Sequence, residues 1–151
     1  MTTKHDHVKL MKDYIGRVTK GDLDAIEEFF TPDFHSHVVR RVHPEAVGTD
    51  IRLCERMFWE ETAAAFPDRV FRIERIWDVP GEETVVMNYT LTGTHSGSEY
   101  FGVPPSGQPI EINGTAIQRF ENGKMKEHWG GPHCMHGIGL LATETPKKIE
   151  V

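Results

Sequence analysis

The chain has 151 residues, of which 38% are hydrophobic and 26% charged, and its formal net charge at pH 7 is −6. This length and composition are typical of one globular domain, and the acidic balance without a long basic run argues against a nucleic-acid partner. No apolar run of about 18 residues predicts a membrane span. The polar N-terminus also lacks the apolar run of a signal peptide, so we expect a cytoplasmic protein.

Two helices are predicted near the N-terminus. Residues 7–18 place apolar side chains at intervals of three and four, which forms one stripe along a helix. Gly21 ends this helix, and Asp22 is expected to cap a second helix in the segment DLDAIEEFF. Pro32 is expected to break the second helix because it cannot donate a backbone hydrogen bond.

A third helix is predicted after a short strand. The segment FHSHVVRRV, residues 34–42, has the composition of a strand. Gly48 and Thr49 precede a segment over residues 50–66 whose apolar side chains lie close to one helical face. Pro67 closes this helix.

The remainder of the chain has the pattern of β-strands separated by turns. The Asn122–Gly123 pair is a strong hairpin signal because both residue types accept a positive φ. The predicted strands are residues 69–79, 84–95, 110–120 and 124–129. Three helices followed by antiparallel strands predict one α+β domain over residues 1–151, with the helices on one face of a curved sheet.

The last strand and its continuation are rich in histidine and tryptophan. If the side chains alternate regularly, Lys124, Lys126 and His128 share one face. Because lysines prefer water, we expect the opposite face to point into the concave side of the sheet. That inward face would carry Met125, Glu127, Trp129, Gly131 and His133, with the last of these at the pocket mouth.

Several segments together resemble a known family. In chain order they are GDLDAIEEFFTPDFHSH, AAAFPD and LTGTHSGSEYFGVPPSGQPIEINGTAIQRFENGKMKEHW. Over about residues 8–141 the chain is similar to the SnoaL-like polyketide cyclases of the nuclear transport factor 2-like superfamily, which leaves a polar tail at 142–151. The resemblance implies a cone-shaped, curved antiparallel sheet wrapped around three N-terminal helices, with a pocket in its mouth. It also implies chemistry that needs no cofactor or metal, and a homodimer formed through the outer face of the sheet.

The resemblance further implies where proton transfer takes place. The family's aldol cyclases carry an aspartate shortly after the E-H-W segment as general acid/base, and this chain has His133 at that position. Imidazole titrates near pH 6.5, so His133 can accept and donate a proton at neutral pH, and Glu127 on the same face can orient it. Arg119 faces either the pocket, as a donor to an enolate oxygen, or an acidic neighbour outside, because the hairpin permits two registers. His37, at a position where the family often has histidine, is expected to line the pocket.

The other candidate site residues are expected to contact the substrate. Asn88 lies in the middle of a strand and can donate a hydrogen bond to a substrate carbonyl, and Trp129 would form a wall of the pocket. Tyr14 and Phe58 lie on helix faces turned toward the sheet, where they can line a pocket for a flat ligand. His35 shares a face with the histidine two residues later if the strand is regular.

Four histidines also allow a metal site to be considered. Imidazole binds zinc, iron and copper, and the His-x-His spacing occurs in metal sites on strands. The histidines concerned are His35, His37, His133 and His136. Because the family's chemistry needs no metal, we assign no metal ligand.

The sequence therefore predicts a cofactor-free enzyme that moves a proton next to the carbonyl of a small, hydrophobic, oxygenated molecule of secondary metabolism. The reaction would be that of a cyclase, an isomerase or a lyase of the dehydratase type. One alternative is a hydroxylase-like or epoxide-opening enzyme, which a metal bound through the histidines would favour. The other is a non-catalytic ligand-binding or dimerisation module, which the replacement of the family's aspartate by His133 would favour.

Overall fold

The computed structural model describes residues 5–37, 48 and 50–136, with the backbone alone for 134–136. The predicted strand residues 38–42 and the polar tail at 142–151 lie outside the described residues. The helices are α1 His7–Val18, α2 Ala25–Phe29 and α3 Arg52–Ala65. The strands are β1 Phe30–Ser36, β2 Val70–Asp78, β3 Thr84–Thr94, β4 Pro109–Glu121 and β5 Lys124–His136.

The five strands form one curved, unclosed sheet in the order β1-β5-β4-β3-β2. Strands β2 to β5 pair antiparallel in succession, as the sequence predicts, whereas β1 pairs parallel with β5. The α+β class with N-terminal helices against a curved sheet is confirmed. In the described part of the chain, no helix is long and apolar enough to cross a membrane.

Helix α1 forms where the apolar stripe predicts it. The Asp6 carboxylate accepts a hydrogen bond from the Lys9 backbone N–H at 2.9 Å and caps the helix. Beyond the helix, Gly21 adopts a φ of 87°, which glycine reaches without steric strain. The buried side of the helix packs against the concave face of the sheet through His7, Met11, Tyr14, Ile15 and Val18.

Helix α2 ends before Pro32 as predicted, but strand β1 begins earlier than predicted. Helix α2 already ends at Phe29, and the next seven residues form β1 with Pro32 inside it. Strand β1 lies at the edge of the sheet. A proline is tolerated there because an edge strand does not need every N–H for strand pairing.

The β4–β5 hairpin forms at the predicted Asn122–Gly123 turn. These two residues have φ values of 49° and 79°, which is the positive φ that such a two-residue turn requires. Strand β5 follows directly at Lys124. The turn chemistry in the sequence therefore places the hairpin correctly.

A β-bulge close to this turn changes the side-chain alternation on β5. Phe120 pairs with Met125, whereas the preceding residue, Arg119, pairs with Glu127, so Lys126 is the extra residue. A one-residue insertion moves every later side chain to the opposite face of the sheet. From Glu127 to Pro132, the faces of β5 are therefore the reverse of those predicted from regular alternation.

Candidate active site

A cavity of about 110 Å³ opens between α1, α3 and the concave face of the sheet. Polar side chains reach it from two sides. Tyr14 and Glu55 come from the helices, and Gln118 and His128 come from neighbouring positions on β4 and β5. Aromatic and aliphatic side chains form the walls between these two polar sides.

The helix side of the cavity contains a chain of three hydrogen-bonding groups. The indole Nε1–H of Trp59 donates to Tyr14 Oη at 3.0 Å. The Tyr14 hydroxyl donates in turn to Glu55 Oε2 at 3.2 Å. Tyr14 and Trp59 are buried, so this chain connects a carboxyl group to donors that water does not reach.

Glu55 is the carboxyl group that lines the cavity. Burial raises the pKa of its carboxyl to about 7, and the hydrogen bond from Tyr14 acts in the opposite direction. Burial, together with the nearby Glu55 charge, raises the pKa of Tyr14 well above its usual range, so its hydroxyl keeps its proton. A carboxyl with a pKa near 7 holds both protonation states at neutral pH, as an acid/base catalyst requires.

The sheet side of the cavity presents two buried polar atoms that have no hydrogen-bond partner among the described residues. Gln118 and His128 are register partners on β4 and β5, and both are buried. Within the described residues, Gln118 Oε1 and His128 Nδ1 make no hydrogen bond. Each such atom costs about 1–3 kcal/mol of folding free energy, a cost that a ligand with a matching polar group would offset.

His128 is neutral at physiological pH. Burial lowers the pKa of its imidazole to about 4, and the nearby His37 acts in the same direction. A neutral imidazole carries one N–H and one free nitrogen, so His128 can either donate to or accept from a ligand. Of the cavity-lining groups in the described residues, Glu55 is therefore the one that can exchange a proton near pH 7.

The walls of the cavity are aromatic and thioether groups. Phe71 and Tyr89 stack with their ring centroids 4.9 Å apart. The Tyr89 ring also lies over its register partner on β4, Gly114, a position that leaves no room for a larger residue. A Cβ placed on Gly114 would lie 2.2 Å from Tyr89 Oη and Cζ. The cavity-lining side chains in the described part of the chain include no lysine or arginine, so the cavity suits an uncharged, apolar ligand better than an anion.

The sequence profile of the SnoaL-like polyketide cyclases matches residues 6–135. The chain belongs to the SnoaL-like polyketide cyclase family. A search of curated proteins finds no match to the chain.

Solved structures support the same placement. IdmH from Streptomyces antibioticus, provisionally assigned as a polyketide cyclase, is 28% identical with a TM-score of 0.70, over 85% of this chain and 93% of IdmH. AclR from Streptomyces galilaeus, provisionally assigned as a hydroxylase, is 26% identical with a TM-score of 0.66, over 84% of this chain and 74% of AclR. A SnoaL-like protein from Jannaschia sp. CCS1 is 22% identical with a TM-score of 0.63, over 84% of this chain and 85% of that protein, and shows the shared fold.

The prediction that His133 faces the pocket is wrong. Its side chain is exposed and does not line the cavity. A second bulge explains this: Gly114 pairs with Pro132 and Asn113 with Cys134, so His133 is the extra residue on β5. The catalytic role of His133 stays a prediction that the cavity geometry does not favour.

Four of the predicted site residues meet, but on the outer side of the sheet. Glu127 Oε1 lies 2.8 Å from His37 Nε2, and Arg119 Nε donates to Glu127 Oε2 at 2.9 Å. The His37 ring stacks on Trp129 at 4.7 Å with an interplanar angle of 8°. The hydrogen bonds from His37 and Arg119 hold the pKa of Glu127 below its usual range. The outward alternative for Arg119 is therefore correct, and the inward placement of Trp129, Glu127 and His37 is wrong.

Asn88 and His35 also lie outside the cavity. Asn88 Nδ2 donates to Thr115 Oγ1 at 2.7 Å on the outer face, while the next residue, Tyr89, takes the inward position. His35 is exposed on β1, with its ring edge-on to His37 at 4.6 Å. Neither residue is placed to contact a ligand in the cavity.

Tyr14 and Phe58 line the cavity as predicted, while three polar lining residues were missed. Glu55 lies one turn before Phe58 and Trp59, on the inward stripe of α3. A carboxylate on an inward helix face could therefore have identified it from the sequence as a cavity residue. Gln118 falls between Ala116 and Phe120 on one face of β4, which is a similar signal. His128 was assigned outward because the bulge at Lys126 has no signature in the sequence.

Among the side chains that the structure describes, no group of three or more His, Cys, Asp or Glu residues could hold a metal ion. The exposed His133 is on β5, and His35 and His37 are at the end of β1. The side chain of His136, the fourth histidine considered, lies outside the described residues. A metal site at these histidines therefore receives no support from the geometry.

Proposed function

We propose that this SnoaL-like protein is an enzyme that transfers a proton next to a carbonyl group of a small apolar molecule, with Glu55 as the acid/base residue. The observation that supports the proposal is a carboxyl of pKa about 7 in a cavity whose other described lining side chains are uncharged at neutral pH. The family and the 28% identical IdmH favour a cyclisation over other reactions of this type.

In the proposed reaction, the Glu55 carboxylate takes a proton from the carbon next to a substrate carbonyl, and the C–H electrons form an enolate. His128 donates to the enolate oxygen in the tautomer that carries its proton on Nδ1, and Gln118 Oε1 accepts a hydrogen bond from a substrate hydroxyl. The enolate carbon then attacks a second carbonyl of the same molecule. The oxygen of that carbonyl takes the proton back from Glu55, so the enzyme returns to its starting state.

This mechanism consumes no oxidant, reductant or cofactor. If the proton returns to a different carbon instead, the same groups perform an isomerisation. Hydrogen bonds to both ends of the substrate would fix which C–H bond lies near the carboxylate, and such positioning accounts for a large part of catalysis in cofactor-free sites.

The test is hydrogen–deuterium exchange in D₂O at the carbon next to the carbonyl, followed by NMR on a panel of apolar diketones and hydroxyketones. We expect Glu55→Gln to slow exchange by about 100-fold or more, because the amide has nearly the shape of the carboxyl but cannot accept the proton. The matched control is His133→Ala, which should exchange at the wild-type rate. Full exchange activity of Glu55→Gln, or its loss in His133→Ala, would contradict the assignment.

A hydroxylase-like function is the second candidate, supported by the 26% identity to AclR. It differs from the first candidate in requiring molecular oxygen. Oxygen consumption with the same panel of compounds, measured with an oxygen electrode, separates the two functions.

We also propose that the protein is a homodimer that associates through the outer face of the sheet. On that face, four residues that pair across neighbouring strands place their side chains in one row: Trp77, Val86, Ile117 and Trp129. Trp77 is 46% exposed, and an apolar row of this kind on a sheet face is typical of a protein interface.

A further inference from the structure

We propose that Trp59 and Tyr14 act as a positioning relay that engages Oε2 of Glu55, so that the other oxygen, Oε1, exchanges the proton with the ligand. The proposal rests on the acid/base function of Glu55 for its biological meaning, but its test does not require that function.

The relay is built from two helices. Glu55 and Trp59 are one helical turn apart on α3, and the hydroxyl of Tyr14 on α1 bonds to both of them. Tyr14 and Trp59 are 1% and 3% exposed, so water cannot replace either bond without a rearrangement of the core. The geometry of the carboxyl group is therefore tied to the packing of α1 on α3.

The direction of the relay follows from the chemistry of indole. An indole N–H can only donate a hydrogen bond, whereas a tyrosine hydroxyl can both donate and accept. With its oxygen accepting from Trp59, Tyr14 has its proton free for Glu55 Oε2. Without Trp59, the hydroxyl could turn and accept a proton from a protonated Glu55. Trp59 therefore fixes Tyr14 as a donor to the carboxylate.

This direction has two consequences for Glu55. A hydrogen bond donated to the ionised form stabilises it, so the Tyr14 bond partly offsets the effect of burial on the carboxyl pKa. When Glu55 is protonated, Oε2 still accepts from Tyr14, and the proton therefore resides on Oε1. One oxygen is used for positioning and the other for proton exchange.

Among the cavity-lining side chains that the structure describes, no other group competes for this proton near pH 7. The remaining titratable side chains that line the cavity with Glu55 are Tyr14, Tyr89 and His128. Burial raises the pKa of both tyrosines and lowers that of His128 to about 4, so all three are uncharged at neutral pH. A titration observed near pH 7 in the cavity can therefore be assigned to Glu55.

The experiment is a pH titration of the Glu55 carboxyl by ¹³C NMR, with the protein labelled at the side-chain carboxyl carbon of its glutamates. The signal of Glu55 is assigned as the one that disappears in Glu55→Gln. In Tyr14→Phe we expect the carboxyl pKa to rise by about one pH unit, the size expected for a lost hydrogen bond to a charged group. In Trp59→Phe we expect a smaller rise. The matched control is Tyr89→Phe, which removes a cavity hydroxyl without a bond to Glu55 and should leave the titration unchanged.

If Trp59→Phe does not fold, the replacement of Trp59 by benzothienylalanine keeps the ring shape and removes only the N–H. An unchanged Glu55 titration in folded Tyr14→Phe, or in the folded variant lacking the Trp59 N–H, would overturn the relay. A shifted titration combined with full exchange activity of Glu55→Gln would instead retain the relay and refute the proposed function.

Discussion

Replacing Glu55 by glutamine should stabilise the protein at pH 8 and change its stability little at pH 5. The carboxyl pKa is about 7 in the folded protein and near its ordinary value of 4.5 in the unfolded chain. Because folding raises this pKa, ionisation opposes folding, and stability is lost as the pH rises through 4.5 and up to about 7. At about 1.4 kcal/mol per pH unit, the loss amounts to ~3 kcal/mol at pH 8 and ~1 kcal/mol at pH 5.

Glutamine has no charge to bury and still offers an oxygen to Tyr14, so it escapes this loss. We therefore expect urea denaturation to show Glu55→Gln about 2–3 kcal/mol more stable than the wild type at pH 8, and less than about 1 kcal/mol more stable at pH 5. The matched control is Glu60→Gln, an exposed glutamate on the same helix, which should not reproduce the gain of about 2–3 kcal/mol at pH 8. The reasoning is refuted if the advantage of Glu55→Gln is equal at both pH values.

Three further predictions concern the cavity and the outer face. Gln118→Leu should unfold at the wild-type temperature or above it, because it removes a buried acceptor that has no partner among the described residues. The same variant should lower kcat/KM about 10-fold. A lower unfolding temperature in thermal denaturation would contradict this. Gly114→Ala should destabilise the protein by about 1–3 kcal/mol in urea titrations, because its Cβ would lie 2.2 Å from Tyr89. Gly16→Ala, in open space on α1, should be neutral or stabilising. Equal effects of the two substitutions would contradict the steric argument. Trp77→Lys should convert a dimer to a monomer in light scattering, while Leu53→Lys, equally exposed on α3, should not; a monomeric wild type would exclude the dimer.

The sequence predicts the elements well where local chemistry determines them. The stripe on α1 and the Asn122–Gly123 turn depend on side chains within a few residues of one another, and the structure confirms both. The start of β1 at Phe30 was missed because a strand tolerates Pro32 only at the edge position that β1 occupies. That position depends on the distant pairing of β1 with β5.

The site was predicted less well for the same reason. Tyr14 and Phe58 follow from helical periodicity and line the cavity, but His128 and His133 depend on two bulges in β5. A bulge inserts one residue into the pairing and exchanges the two faces of the strand. No residue type in KMKEHWGGPH requires an insertion at Lys126, so regular alternation placed His128 outside and His133 inside.

The most direct test of Glu55 as the acid/base is the pH dependence of the exchange rate at the carbon next to the carbonyl. The wild type and His133→Ala should both show a rate that rises with pH through an apparent pKa of about 7 and then levels off, because exchange begins with the ionised carboxylate. Glu55→Gln should show neither the rise nor the fast rate. A profile that is unchanged in Glu55→Gln, or abolished in His133→Ala, would contradict the account.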